Sequence, residues 1–220
     1  MRHAVRAVVT AASIAVMALP ATASASVVGL WHMNETSGTT MNDASSFGND
    51  GSLEHVSFTA SGWSGRGYSF NGSSSLVVVP NDASLNPGTQ DITLSAYVKV
   101  TQAPSRTEFD YDIVRKKGQG SVYKMEILYT GTGYCQFKGT KGNGVVKGGP
   151  VVTDGAWHHL ECQRTATRVR LLVDGVEVKT KAVATGSISN KTALVLGGKA
   201  DRSDDWFRGL MDEVSVSFGS

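Results

Sequence analysis

The sequence predicts an all-β protein of antiparallel strands, packed as two sheets or closed as a barrel. From Val27 onward apolar residues recur at every second position in short runs, which is how half-buried strands read. Gly, Asn, Asp and Ser break those runs at close intervals, and no stretch of useful length carries a helical period. Many short antiparallel strands at such spacing build sandwiches or barrels.

The first runs are residues 29–33, 67–70 and 76–79. Residues 91–101 give the clearest strand, with Ile92, Leu94, Ala96, Val98 and Val100 on one face and Thr93, Ser95, Tyr97 and Lys99 on the other. One face is therefore buried and the other wet. Residues 123–129, 134–137, 157–164, 169–173, 176–183, 193–196 and 211–218 continue the series. Asp174-Gly175 separates two of these runs, and Asp-Gly accepts the positive φ angles of a type I′ turn, so the flanking strands should be hairpin neighbours. Gly-rich residues 139–149 read as a long surface loop, and neither a linker nor a repeat is evident.

Basic Arg2 and Arg6, an apolar run from Ala7 to Leu19 and the small Ala23-Ser24-Ala25 read as an export signal, residues 1–25, cut after Ala25. A membrane anchor would need about 20 apolar residues, whereas this run ends at Pro20 and no later stretch could span a bilayer. Residues 26–220 are thus expected to form one extracellular domain without a membrane span. Of 21 basic residues in the chain, loss of Arg2 and Arg6 leaves 19, matching the 19 acidic ones. That balance argues against nucleic acid as a partner. A mild basic tilt remains between Arg106 and Lys147, carried by Arg115, Lys116, Lys117, Lys124, Lys138 and Lys141 among others. Outside the cytosol an even cysteine pair is expected to oxidise, so Cys135 and Cys162 should form a disulfide. A zinc site or catalytic thiol would require further Cys and His at ligand spacing.

Specific residues add to this pattern. Trp31-His32-Met33-Asn34-Glu35-Thr36-Ser37-Gly38 leads to Asp43 and then to Gly48-Asn49-Asp50-Gly51. Tyr68-Ser69-Phe70-Asn71-Gly72, Ile92-Thr93-Leu94-Ser95-Ala96-Tyr97-Val98, Trp157-His158-His159-Leu160, Leu172-Val173-Asp174-Gly175 and Phe207-Arg208-Gly209-Leu210-Met211-Asp212-Glu213-Val214 follow. In that order, over nearly all of residues 26–220, they resemble the laminin-G-like jellyroll domains of the concanavalin A-like lectin and glucanase superfamily. Tyr97 stands where that family usually has Trp, and Ser46-Phe47 interrupts a Ser-Gly step beside Asp43. The resemblance implies a two-sheet antiparallel jellyroll sandwich. It also implies a non-catalytic module that binds carbohydrate or protein, frequently with a structural calcium ion.

Asp212 shares parity with Val214, Val216 and Phe218, which predicts a carboxylate on their buried side. A bare carboxylate there would cost several kcal/mol, so it needs a cation or a set of donors. Asn42, Asp43, Asn49 and Asp50 offer the hard oxygen ligands that calcium selects. Similar domains pair their first and last strands, which implies that this loop meets Asp212. Calcium held by Asp43, Asn49, Asp50 and Asp212 is the expected cofactor; the other reading has Asp212 accepting backbone N–H bonds at a strand end.

Glu108-Phe109-Asp110-Tyr111-Asp112 sets three carboxylates on one face of an extended strand and resembles the E-x-D-x-E core of laminarinase-type glucanases. In those enzymes the outer pair are nucleophile and general acid, about 5 to 5.5 Å apart for retention. The shorter Asp112 in third place and the loop-like Pro104-Ser105 before the segment favour a solvated loop or a ligand-contacting rim. His158 and His159 are adjacent on a strand, point to opposite faces and cannot chelate one ion together. Flat rings serve as sugar platforms, which makes Tyr111 and Trp206, with Arg115 beside them in the basic tilt, the candidate carbohydrate contacts. Tyr134 is a further ring, and Trp63 is expected to plug an end of the sandwich. Asn34, Asn71 and Asn190 open glycosylation sequons.

The sequence therefore predicts a secreted, non-catalytic module that binds carbohydrate or another extracellular polymer with the help of calcium. A glucan hydrolase working through Glu108 and Asp112 and an extracellular protein-interaction domain are the alternatives. Binding of an acidic polysaccharide through the basic tilt would weaken with added salt.

Overall fold

The computed structural model describes residues 25–219 apart from 109 and 202. The expected signal peptide lies outside the described residues up to its last position, Ala25. Among the described residues no helix is long and apolar enough to cross a membrane.

In chain order the strands are β1 (Ser26–Trp31), β2 (Thr40–Met41), β3 (Gly51–Glu54), β4 (Ser57–Thr59), β5 (Gly67–Asn71) and β6 (Leu76–Val79). A 3₁₀ turn at Ala83–Leu85 leads to β7 (Ile92–Lys99), β8 (Asp110–Gly118), β9 (Ser121–Leu128), β10 (Thr132–Lys138) and β11 (Asn143–Val151). Then come β12 (Trp157–Arg164), β13 (Arg168–Val173), β14 (Val176–Ala182), β15 (Leu194–Leu196) and β16 (Arg208–Phe218). They form two eight-stranded sheets. The first runs β14-β13-β12-β7-β16-β5-β4, with β1 against the C-terminal part of β16, and the second runs β11-β10-β9-β8-β15-β6-β3-β2. Every pairing is antiparallel.

The sheets close on a shared core. In β7 the even-numbered residues are buried from Ile92 to Val98, as their alternation predicts, and they meet Trp31, Met125, Phe137 and Val214 in one cluster. A disulfide joins Cys135 of β10 to Cys162 of β12, so it ties the two sheets through that core. The predicted hairpin is present: Asp174 and Gly175 have φ of 51° and 78°, and β13 pairs with β14. One charge also enters the interior. Lys116 is fully buried, and its ammonium donates to the side-chain oxygens of Asn81, Asn86 and Asn190 and to the Asn190 carbonyl, at 2.9–3.2 Å. Burial lowers its pKa to about 8.

Two segments differ from expectation. Residues 139–149 are not one long loop, because β11 occupies their second half and pairs with β10. Its glycines serve close approach: a Cβ on Gly144 would lie 2.5 Å from a Val169 methyl. Of residues 108–112, read as loop or rim, the last three open the interior strand β8, between β9 and β15. A register shift between Asp112 and Val114 breaks the period-two pattern there, placing Ile113 and Val114, neighbours in sequence, both in the core.

Candidate functional site: the outer face of the β8–β11 sheet

Residues paired directly across antiparallel strands share a face, so the register of β8, β9 and β10 assembles three rows on the outer side of this sheet. The first is Lys117, Val122 and Lys138. Arg115, Lys124 and Gln136 make the second, extended by Val195 of β15. The third is Asp112, Glu126 and Tyr134. Core-facing Tyr123, Met125 and Ile127 alternate with these positions along β9.

Rows two and three neutralise each other. An Arg115 guanidinium nitrogen lies 2.8 Å from Asp112 Oδ2, 3.6 Å from Glu126 Oε1 and 3.8 Å from Asp205 Oδ2. Lys124 pairs with Glu126 and lies over the Tyr134 ring, 5.0 Å from its centroid. The chain after β15 returns to this face: the Asp112 N–H donates to the Asp205 carbonyl at 3.0 Å, and Lys199 pairs with Asp204 and Asp205. Asp112 and Glu126 are consequently buried although they stand on an outer face. Desolvation, then repulsion from Glu126 and Asp205, lifts Asp110 to a pKa of about 7. Desolvation and Glu126 push Asp112 up against the pull of Arg115. One oxygen each of Asp110, Asp112 and Glu126 is buried without a donor.

Two adjoining cavities open on this face. One of about 360 Å³ is lined by Arg115, Lys117, Val195, Lys199 and Asp201, and one of about 310 Å³ by Lys117, Gln119, Val122, Gln136, Lys138 and Asn143. They share Lys117 and Gly118.

Of the candidate carbohydrate contacts, Arg115 lies at the centre of this face. Tyr111 does not: it pairs with Ile127 on the core side, is 5% exposed, and meets Phe207 edge-on. Its parity in β8 decides this, and a buried ring cannot stack on a sugar. Trp206 is half-buried and packs on Gly198, where a Cβ would stand 3.2 Å from the indole. The hydrolase pair does not share a cleft either. Glu108 is exposed and accepts the Ser105 N–H at 2.7 Å, closing its own turn, whereas Asp112 has no exposure and is held by Arg115.

Of the expected calcium ligands, Asp43, Asn49 and Asp50 are linked in one loop by hydrogen bonds within the protein, and Asp212 is engaged elsewhere. Asp43 Oδ1 accepts the N–H groups of Leu30 and Ser45, and Oδ2 those of Asn49 and the Ser45 hydroxyl. Burial would raise its pKa, but the bonds from Ser45, Leu30 and Asn49 outweigh that and lower it. Asn49 donates to the Val28 carbonyl and the Ser84 hydroxyl, and Asp50 accepts the Asp43 N–H. β1 and β16 do pair, yet Asp212 faces elsewhere. A bulge between Asp212 and Ser215, with Glu213 at φ 48°, breaks the parity argument, so Asp212 pairs with Tyr97 on the outer face of its sheet. There it is buried under the turn at residues 62–66 and accepts the N–H groups of Ser64 and Glu213 at 2.8 and 2.9 Å. Calcium wants several converging oxygens. Among the described residues only Asp110, Asp112 and Glu126 bring three acidic, His or Cys ligand atoms within 4.8 Å of one another, and Arg115 and Lys124 already serve that group. The expected set therefore does not fit calcium.

Trp63 is no plug: it is 51% exposed and stacks on Tyr97, which stacks in turn on His159, each with centroids 4.5 Å apart. His158 instead bonds Asp174 and Asp154, consistent with the two histidines facing opposite ways. Sequence reasoning missed Glu126, Lys199 and Asp205 at the candidate face. For Glu126 a signal existed, since Val122, Lys124 and Glu126 share one parity; the other two are set by tertiary contact alone.

No curated protein sequence matches the chain. Among solved structures, the binding domain of Paraclostridial Mosquitocidal Protein 1 superposes with a TM-score of 0.71 at 14% identity, covering 89% of this chain and 49% of that one. The receptor binding domain of botulinum neurotoxin D gives 0.69 at 11% identity, covering 89% and 50%. This chain thus spans about half the length of those two. Domain 4 of AbnA, a GH43 extracellular arabinanase from Geobacillus stearothermophilus solved in complex with arabinotriose, gives 0.66 at 16% identity, covering 89% and 93%. At such identities the likeness is one of fold. The family profile described as "Concanavalin A-like lectin/glucanases superfamily" matches residues 70–218. That span holds both sheets' central strands and every row of the outer face, and by it the chain belongs to the concanavalin A-like lectin/glucanases superfamily.

Proposed function

We propose that the protein is a secreted carbohydrate-binding module that turns nothing over, receiving its glycan on the outer face of the β8–β11 sheet. The observation that carries this reading is the pair of adjoining cavities on that face, lined by Arg115, Lys117, Gln136, Lys138 and Asn143. Sugars are bound by polar side chains of this kind beside a ring, and Tyr134 stands two rows away on the same face. The arabinanase domain of the same fold, solved with arabinotriose, lends support from outside the chain. Export is supported by the leading residues and by the Cys135–Cys162 bridge, a bond that persists in oxidising compartments. The reading needs no calcium, and the burial of Asp112 takes it out of reach as the hydrolytic partner of Glu108.

A glycan array probed with the disulfide-intact protein, in millimolar calcium and again in chelator, tests this. Binding in both conditions, weakened by Gln136→Ala, is the expected result. A blank array in both would sink the reading and favour the protein-interaction alternative, for which the exposed Trp63 on the opposite sheet is the feature to mutate.

A further inference from the structure

Charge is distributed unevenly over the three rows of the outer face. Rows two and three carry Arg115 and Lys124 against Asp112 and Glu126, with Asp204 and Asp205 taken up by Lys199. Row one has no acid. Lys117 and Lys138 both pair with the buried Val122 from opposite sides, and both line the same cavity. Two strand spacings put their Cα atoms roughly 9 to 10 Å apart. Both side chains are exposed, and among the described residues neither takes part in an ion pair.

The other groups lining this cavity are neutral: Gln119, Ser121, Gln136 and Asn143, with Gln136 donating to the Asn143 side chain at 2.9 Å. The neighbouring cavity, reached across Lys117, adds Arg115, Lys199 and Asp201, but its Arg115 and Lys199 are already paired with Asp112, Asp204 and Asp205, so the unpaired cations are the two lysines. A neutral sugar would leave both lysines without a counter-charge, whereas an anionic group between them would supply one beside amide groups able to hold its hydroxyls.

We infer that Lys117 and Lys138 form an anion-selecting subsite, and that the glycan taken by this face is acidic, bearing carboxylate or sulfate groups. This rests on the carbohydrate-binding reading above and deepens it by naming the class of sugar.

Calorimetric titration of the protein with three probes of matched length tests it: a neutral arabino-oligosaccharide, an oligogalacturonate and a sulfated gluco-oligosaccharide. At least one acidic probe should bind ten-fold or more tighter than the neutral one and weaken as salt rises. Lys117→Gln/Lys138→Gln should remove that ten-fold preference. Lys179→Gln/Lys181→Gln, the same loss of charge on β14 of the other sheet, should leave the preference intact. Which acidic probe responds identifies carboxylate or sulfate. Equal affinity for neutral and acidic probes, or a preference that survives Lys117→Gln/Lys138→Gln, overturns the subsite and leaves the carbohydrate reading standing. Failure of all three probes together with a blank array takes both down.

Discussion

The Asp212 carboxylate accepts the backbone N–H of Ser64 at 2.8 Å, although 148 positions separate the two residues. The bond pins the turn bearing Trp63 onto the outer face of the first sheet, where the indole covers Tyr97. Glycine is required beneath it: a Cβ on Gly62 would stand 1.9 Å from the Arg66 carbonyl oxygen and 2.8 Å from the Asp212 carboxylate.

Asp212→Ala should orphan the N–H groups of Ser64 and Glu213 and lower the unfolding free energy by about 2 to 4 kcal/mol. Asp212→Asn keeps one oxygen acceptor and should lose about half as much. Urea midpoints measured in calcium and in chelator should rank the three proteins identically. An alanine variant as stable as the parent would remove the anchoring role, and a calcium-dependent midpoint would restore the ion to this residue.

Arg115→Met leaves Asp112, which has no exposure, beside Glu126 without its guanidinium partner. Stability should fall by about 3 to 5 kcal/mol. Arg115→Met/Asp112→Leu should regain a large part of that, because apolar groups of similar volume replace such pairs at little cost. Chemical denaturation of the single and double variants decides it; equal losses in both would mean that the guanidinium packs rather than compensates charge.

Cys135 and Cys162 close a loop of 27 positions between the two sheets. In the chain-entropy account this stabilises the fold by about 3 to 4 kcal/mol. Cys135→Ser/Cys162→Ser should lower the denaturation midpoint accordingly without changing its slope per residue exposed. Loss of cooperativity instead would show that the sheets separate independently.

His158 lies among Asp174, 2.8 Å from Nδ1, and Asp154, 3.1 Å from Nε2. Burial opposes its protonation, but those two hydrogen bonds and the attached charges outweigh it and raise the pKa. The folded state then holds the proton more tightly than the unfolded chain. Its contribution is complete below the ordinary imidazole value of about 6.5 and is lost as pH climbs through the raised one. Thermal midpoints recorded from about pH 5.5 to 8.5 should decline over that window, and His158→Gln should flatten the decline. Parallel curves for the two proteins would place the titration elsewhere.

Much of the fold was legible in the chain. Strand β7 alternates without a break, and Asp174-Gly175 marks the β13–β14 hairpin because few other pairs tolerate two positive φ angles. The site was less so. Arg115 was visible as part of a basic tilt, yet its partners Glu126 and Asp205 lie 11 and 90 positions away and are chosen by strand register and by the return of the chain after β15. Tyr111 looked like a platform because aromatic character says nothing of which side of a strand a ring occupies. Residues 139–149 read as a loop, although β11 begins at Asn143, because glycine marks both a turn and a strand packed closely against its neighbours.

What the sequence by itself determined is the local chemistry: alternation that makes strands, turn residues that end them, and an even cysteine pair. Tertiary structure alone decided which face each polar side chain serves. Bulges at Ile113 and at Glu213 each advance the chain by a residue that finds no partner, and every side chain beyond them changes face relative to a simple count. By that shift Asp212 leaves the core for the turn at Ser64, and Arg115 joins Asp112 on one surface. Lys117 and Lys138 meet across Val122 for the related reason that a cross-strand neighbour is fixed by pairing, which no single strand's sequence contains.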